Sequence, residues 1–116
     1  MILTERLEGI ETVRFDTDRI DALNVMEIRA AIMRLFEEQH VKAIIDFTGV
    51  EYLDSSGFGM LLLINRTVKS NFCSMKLCSL SDKVLGLFET LKLDTAFDIY
   101  PDLEACIVSY KKGGSF

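Results

Sequence analysis

Between an apolar run and a helical periodicity, the stretch Val50-Glu51-Tyr52-Leu53-Asp54-Ser55-Ser56-Gly57-Phe58-Gly59 sets two hydroxyls beside a carboxylate. The plainest chemistry for these groups is capping. Ser and Asp oxygens satisfy the free N–H groups at a helix start and contribute about 0.5–2 kcal/mol each. Covalent catalysis asks for more. A nucleophile elbow needs glycine two residues before the serine, where Ser55 and Ser56 have Leu53 and Asp54, and the one histidine, His40, precedes both. Gly57-Phe58-Gly59 fails as a dinucleotide fingerprint because the next required glycine is Leu62, and no lysine follows as a phosphate loop demands. Asp18, Asp21, Asp46 and Asp54 could converge on a divalent cation, but isolated aspartates at strand ends more often cap helices, so neither a metal nor a cofactor is expected. His40, beside Gln39 at the polar end of a helix, is read as a cap or a solvent-facing side chain with no functional role.

The elements that hold this stretch follow from spacing. Ile2–Leu7 and Glu11–Phe15, separated by Glu8-Gly9-Ile10, predict a hairpin with Val13 and Phe15 facing inward. From Asn24, the residues Val25, Ile28, Ile32, Leu35 and Phe36 recur at helical spacing, with Arg29, Arg34, Glu37 and Glu38 mostly on the other side. Either Asn24, in a capping box with Glu27, or Asp21 can start that helix. Val41–Phe47, ended by Thr48-Gly49, has the profile of a central strand buried on both faces. After a turn at Tyr52-Leu53-Asp54, Ser55 or Ser56 can cap a second, mostly buried helix to about Lys69. Met75–Ser79 alternates like a strand, and Ser81-Asp82 caps a helix with Val84, Leu85, Leu87, Phe88 and Leu91 inside. Phe97–Tyr100 reads as a last strand, and Pro101 suits the first turn of a closing helix through Leu103, Ile107 and Val108. Alternating strands and helices predict an α/β domain with a mostly parallel sheet after an antiparallel opening hairpin. Residues 1–110 form a single domain, followed by a frayed tail at 111–116.

Composition narrows the class of function. A chain of 116 residues, 49% apolar and 27% charged, fits one domain with a real core. Its longest apolar run, Phe58–Ile64, is far below the roughly 18–20 residues of a membrane span, and no secretory signal is visible in Met1–Arg6, so a cytoplasmic protein is expected. Three cysteines, Cys73, Cys78 and Cys106, without a CxxC pair, predict buried free thiols. Net charge is −5, and residues 1–54 hold the whole excess, with 12 acidic and 6 basic side chains against 6 and 7 in the remainder. Such a surface repels phosphate backbones, so nucleic acid is not an expected partner and a protein with a basic docking surface is. No acid and base are paired around a nucleophile, which argues against an enzyme.

These residues resemble the STAS family, the domain of bacterial anti-sigma factor antagonists that also occurs at the carboxyl end of sulfate transporters. Three features carry the resemblance, which spans nearly the whole chain. They are Ile20-Asp21-Ala22-Leu23, the strand and turn Ala43–Leu53, and above all Asp54-Ser55-Ser56-Gly57. The resemblance implies a mixed, mostly parallel sheet with about four helices packed on it. It also implies a non-catalytic chain whose phosphoacceptor serine, by register, is Ser56, with Ser55 as the fallback. The implied partners are an anti-sigma factor that is itself an ATP-dependent serine kinase and a metal-dependent serine phosphatase that restores the hydroxyl, acting on a monomer. In this reading Asp21 and Asp54 flank the docking surface, Ser55 caps or hydrogen-bonds, and Gly57 keeps space clear for a partner's active site. Two places depart from the family pattern. Asp18 stands where Gly-x-Leu-Asp is common, and Asn71 replaces a glycine before the fourth strand while still accepting a left-handed backbone.

Other readings of the same residues stay open. One is a STAS interaction subunit without phosphorylation, in which the serines only cap. Another is a small-ligand or nucleotide sensor that uses the free N–H groups of the turn as an anion site.

Overall fold

Glu8 and Gly9 take positive φ values of 53° and 81°, the two-residue turn whose twist matches a right-handed hairpin. In a computed structural model describing residues 1–113, that turn joins β1 (Ile2–Leu7) to β2 (Ile10–Phe15) as an antiparallel pair, with Ile2 opposite Phe15 and Leu7 opposite Ile10. Ile10, expected in the turn, opens β2 instead and is buried. Val13 and Phe15 face the core as expected.

Next along the chain come β3 (Arg19–Ile20), α1 (Val25–Leu35), β4 (Lys42–Asp46), β5 (Tyr52–Leu53) and α2 (Ser55–Ser70). They are followed by β6 (Ser74–Cys78), α3 (Asp82–Thr90), β7 (Asp98–Tyr100) and α4 (Leu103–Lys111). The main sheet has the order β1-β2-β4-β6-β7, all parallel beyond the opening hairpin, so β4 is central and buried on both faces. Alternation along β4 separates two cores. Ala43 and Ile45 meet Ile28, Ile32, Phe58, Leu61, Ile64 and Phe88 of α1, α2 and α3, while Ile44 meets Cys106 and Tyr110 of α4 on the opposite face. Strands β3 and β5 form a separate two-residue parallel pair, Arg19 with Tyr52 and Ile20 with Leu53.

Several expectations are corrected by packing. Asp102, whose carboxylate accepts from the Ala105 N–H at 2.8 Å, caps α4, so Pro101 lies before the helix and not in its first turn. Val108 points outward; Cys106 and Tyr110 form the buried stripe of α4, which the neighbouring apolar residues disguised in the sequence. Leu91 follows α3 and is exposed, leaving Val84 and Phe88 as that helix's buried anchors. Asn71 is not left-handed: its side chain donates to the Phe36 carbonyl at 2.5 Å, and the positive φ passes to the exposed Phe72, at 57°. Phe72 in turn stacks on the exposed His40 with ring centroids 6.0 Å apart. Helix α4 continues through Lys111, which pairs with Glu8 at 2.6 Å; of the tail expected to fray, residues 114–116 lie outside the described residues. Cys78 and Cys106 are buried free thiols, and Cys73 is half-buried. Among the described residues, no helix is long and apolar enough to cross a membrane.

Candidate functional site

Parallel pairing of β3 with β5 carries Asp21 and Asp54 out of neighbouring strands side by side, since each directly follows a paired residue, Ile20 or Leu53. The Asp54 N–H donates to the Ile20 carbonyl at 3.3 Å, which closes the junction. Asp54 then caps α2. Its Oδ1 accepts from the N–H of Ser56 at 3.0 Å, from the N–H of Gly57 at 3.2 Å and from the Ser56 hydroxyl at 2.5 Å. The expected serine cap is therefore replaced by the carboxylate before it, because an aspartate oxygen reaches two orphan N–H groups and a hydroxyl at once. Ser55 is the first helical residue and exposed, and it makes no side-chain hydrogen bond among the described residues.

The Asp54 carboxyl sits below its ordinary range, chiefly because the Ser56 hydroxyl donates to it. Partial desolvation works in the other direction, and the N–H groups of Gly57, Ser56 and Ala22 add to the lowering. The one histidine, His40, stacks on Phe72. The arrangement fixes the Ser56 side chain at a helix start through its hydrogen bond to Asp54.

Asp21 organises the adjoining loop. Its Oδ1 accepts from the Leu23 N–H at 3.0 Å, and its Oδ2 lies 3.5 Å from the Arg19 guanidinium, which covers the Tyr52 ring at 4.2 Å. Asn24 precedes α1 without a capping-box bond to Glu27; its amide instead bridges the Asp21 N–H and the Arg19 carbonyl. Among the described residues no cluster of three or more His, Cys, Asp or Glu side chains is arranged to hold a metal.

Gly57 has a role different from the one expected. A Cβ there would meet Leu53 Cδ1 at 2.3 Å and Ile20 Cγ2 at 3.3 Å, so the glycine lets α2 pack onto the β3–β5 pair and does not clear space outward. Ser56 itself is half-buried and opens into a groove of about 220 Å³ lined by Val25, Met26, Arg29, Met60 and Leu63. Sequence reasoning placed Arg29 on the polar side of the first helix and so missed it as a neighbour of Ser56. It also passed over Leu23 and Met26, which are 96% and 62% exposed at the start of α1. Their signal was legible, since both are apolar and off the Ile28–Ile32 stripe.

A model of the STAS domain family matches residues 1–106. An anti-sigma-B factor antagonist of Listeria monocytogenes is 32% identical over 99 residues, covering 78% of this chain and 87% of that one. Among solved structures, an anti-sigma-factor antagonist (STAS) domain protein of Planctomyces limnophilus superposes with a TM-score of 0.84 at 20% identity, covering 92% of this chain and 96% of the other. The anti-sigma factor antagonist SpoIIAA in its unphosphorylated form gives 0.70 at 19%, covering 97% and 99%.

Proposed function

The chain belongs to the STAS domain family, and from that premise we propose that it is an anti-sigma factor antagonist, a partner-switching regulator controlled by phosphorylation of Ser56. In this reading the unmodified protein, a cytoplasmic monomer, binds an anti-sigma factor serine kinase, which transfers a phosphoryl group from ATP to Ser56 Oγ as the hydroxyl proton leaves. A metal-dependent serine phosphatase later restores the hydroxyl. The chain supplies the acceptor and the docking surface and does no catalysis itself.

The observation that carries the proposal is the Ser56 hydroxyl held at 2.5 Å from Asp54, partly open to solvent at a helix start, with Leu23 and Met26 exposed nearby. Exposed apolar side chains beside a polar target are what a protein partner buries. Phosphorylation removes the hydroxyl donor from Asp54 and brings about −1.5 to −2 charges next to a carboxylate. The helix start tolerates part of that charge, and an interface fitted to a neutral hydroxyl does not. The names of the Listeria relative and of SpoIIAA in its unphosphorylated form support the same reading.

Intact-mass spectrometry of the protein and its Ser56→Ala variant, after incubation with ATP and an extract of the source cells, tests it. One phosphate on the parent and none on the variant is expected, with Ser56→Ala still binding the kinase and Ser56→Asp binding more weakly. No phosphate on either protein in an extract with active serine kinases would replace this reading with an interaction subunit whose serines only cap.

A further inference from the structure

Lys76 is a charged side chain in the middle of the sheet, 5% exposed, on the face of β6 that α4 covers. Its Nζ donates to Ser109 Oγ at 2.5 Å and lies 4.2 Å from the Tyr110 ring centroid and 5.2 Å from that of Tyr100. The Tyr100 hydroxyl hydrogen-bonds Ser109 at 2.7 Å, and Tyr110 is anchored by donating to the Ala43 carbonyl at 2.9 Å. Burial pushes the Tyr110 phenol up, so no phenolate balances the ammonium. Among the described residues Lys76 belongs to no ion pair, unlike Arg6, Arg14, Arg19 and Lys111.

A buried ammonium ordinarily has an anion beside it, since ring faces and one hydroxyl replace only part of its hydration. Here the space for one exists. A cleft of about 490 Å³ opens over Lys76, Tyr100 and Ser109, walled by Val108 and rimmed by Lys112 and Asp98. Formal charge around it is +1, with two lysines against Asp98, which suits a singly charged ligand.

We propose that this cleft is a binding site for a small oxyanion, a carboxylate or phosphate group held by the Lys76 and Lys112 ammonium groups and by whichever hydroxyl of the Ser109–Tyr100 pair is not donating to the other. It lies on the α4 face of the sheet, opposite the core that packs α2 and Ser56, and its assignment is independent of the phosphorylation reading. A ligand bearing its own hydroxyl or amino group can also donate to Asp98, which gives the site a means of choosing among anions.

The test is a ¹H–¹⁵N NMR titration of the whole chain at fixed pH and ionic strength, replacing chloride by acetate in one series and by inorganic phosphate in another. Saturable shifts are expected at residues 76, 98–100 and 105–112. Saturation by acetate alone assigns the site to carboxylates, and saturation by phosphate assigns it to phosphoryl groups. Lys76→Met, which keeps the chain length without the charge, should weaken binding about tenfold, the loss expected of one charge-assisted hydrogen bond. Lys112→Ala, on the exposed rim, should weaken it without disturbing the buried cluster, and carries the test if Lys76→Met does not fold. Shifts that never saturate, or Lys112→Ala binding as the parent does, would overturn the proposal.

Discussion

At the scale of single residues, the site rests on one shared oxygen. Asp54 Oδ1 holds two helix N–H groups and the Ser56 hydroxyl, and the hydroxyl is the largest reason that its carboxyl is lowered from 3.8. Ser56→Ala should therefore raise the Asp54 pKa toward its ordinary value, and a carboxyl ¹³C titration reads the change directly. The stability consequence has a definite sign: a depressed folded pKa stabilises above the unfolded value and loses that stabilisation as pH falls through the folded one. The variant should be less stable than the parent near neutral pH, and the gap should close on acidification below 3.8. Gly57 makes an opposite kind of demand. Gly57→Ala would ordinarily favour a helix by roughly 0.5–1 kcal/mol, but here the new Cβ meets Leu53 Cδ1 at 2.3 Å. A net loss of about 1–3 kcal/mol from overpacking is expected in urea unfolding. Asp54, Ser56 and Gly57 could all be picked out in the sequence. What the glycine was for could not, because Ile20 is distant in the chain and Leu53, though near, is set under the helix by the pairing of β3 with β5.

At the scale of elements, long periodic segments were legible and short ones were not. Helix α1 follows from its apolar spacing, while α2 and the central strand β4 are near-continuous apolar runs that length and flanking turn or cap residues sort into helix and strand. Strands β3 and β5 have two residues each, too few for any period, yet their pairing is what sets Asp21 beside Asp54. The left-handed turn after α2 went to Phe72 instead of Asn71 for a similar reason. Asn71's amide is committed to the Phe36 carbonyl of α1's end, a contact no local rule contains. The starts of α1 and α2 together present Leu23, Met26 and Ser56, with Arg29 in the same groove. If the proposed kinase partner docks here, Met26→Ser should weaken its binding to the unmodified protein by about tenfold, the usual cost of truncating an apolar anchor. Because Met26 is 62% exposed in the free protein, the melting temperature should barely move. A variant that binds like the parent in calorimetry would place the docking surface elsewhere on the domain.

At the scale of the whole molecule, the sheet divides two sites as it divides two cores. The alternation of β4 and β6 that sends Ile45 and Leu77 toward α1, α2 and α3 sends Ile44 and Lys76 toward α4. The doubly buried strand was legible in Val41–Phe47, but the placement of a lysine within β6 was not read as a signal, because a lone charge in an apolar strand looks like an edge or a solvent-facing position. Charge is also divided. The amino-terminal half carries all of the excess behind the net −5, and Asp18, Asp21, Glu51 and Asp54 flank the paired strands β3 and β5, where the Glu51 N–H donates to the Asp18 carbonyl at 2.8 Å, with Arg19 beside Asp21 and Arg29 in the groove of Ser56. A surface of one sign steers a partner of the other, and the steering fades once the Debye length falls below the approach distance, about 10 Å at 0.1 M salt. If the kinase docks on this acidic end, stopped-flow association should slow by about tenfold or more from low to high salt while the dissociation rate changes little. The Ser56-phosphorylated protein, more acidic still, should keep or steepen that salt dependence of encounter and yet dissociate faster, because its added charge is damaging only once the interface closes and desolvates it. An association rate indifferent to salt would instead assign the acidic half to solubility and leave the apolar groove beside Ser56 as the whole basis of recognition.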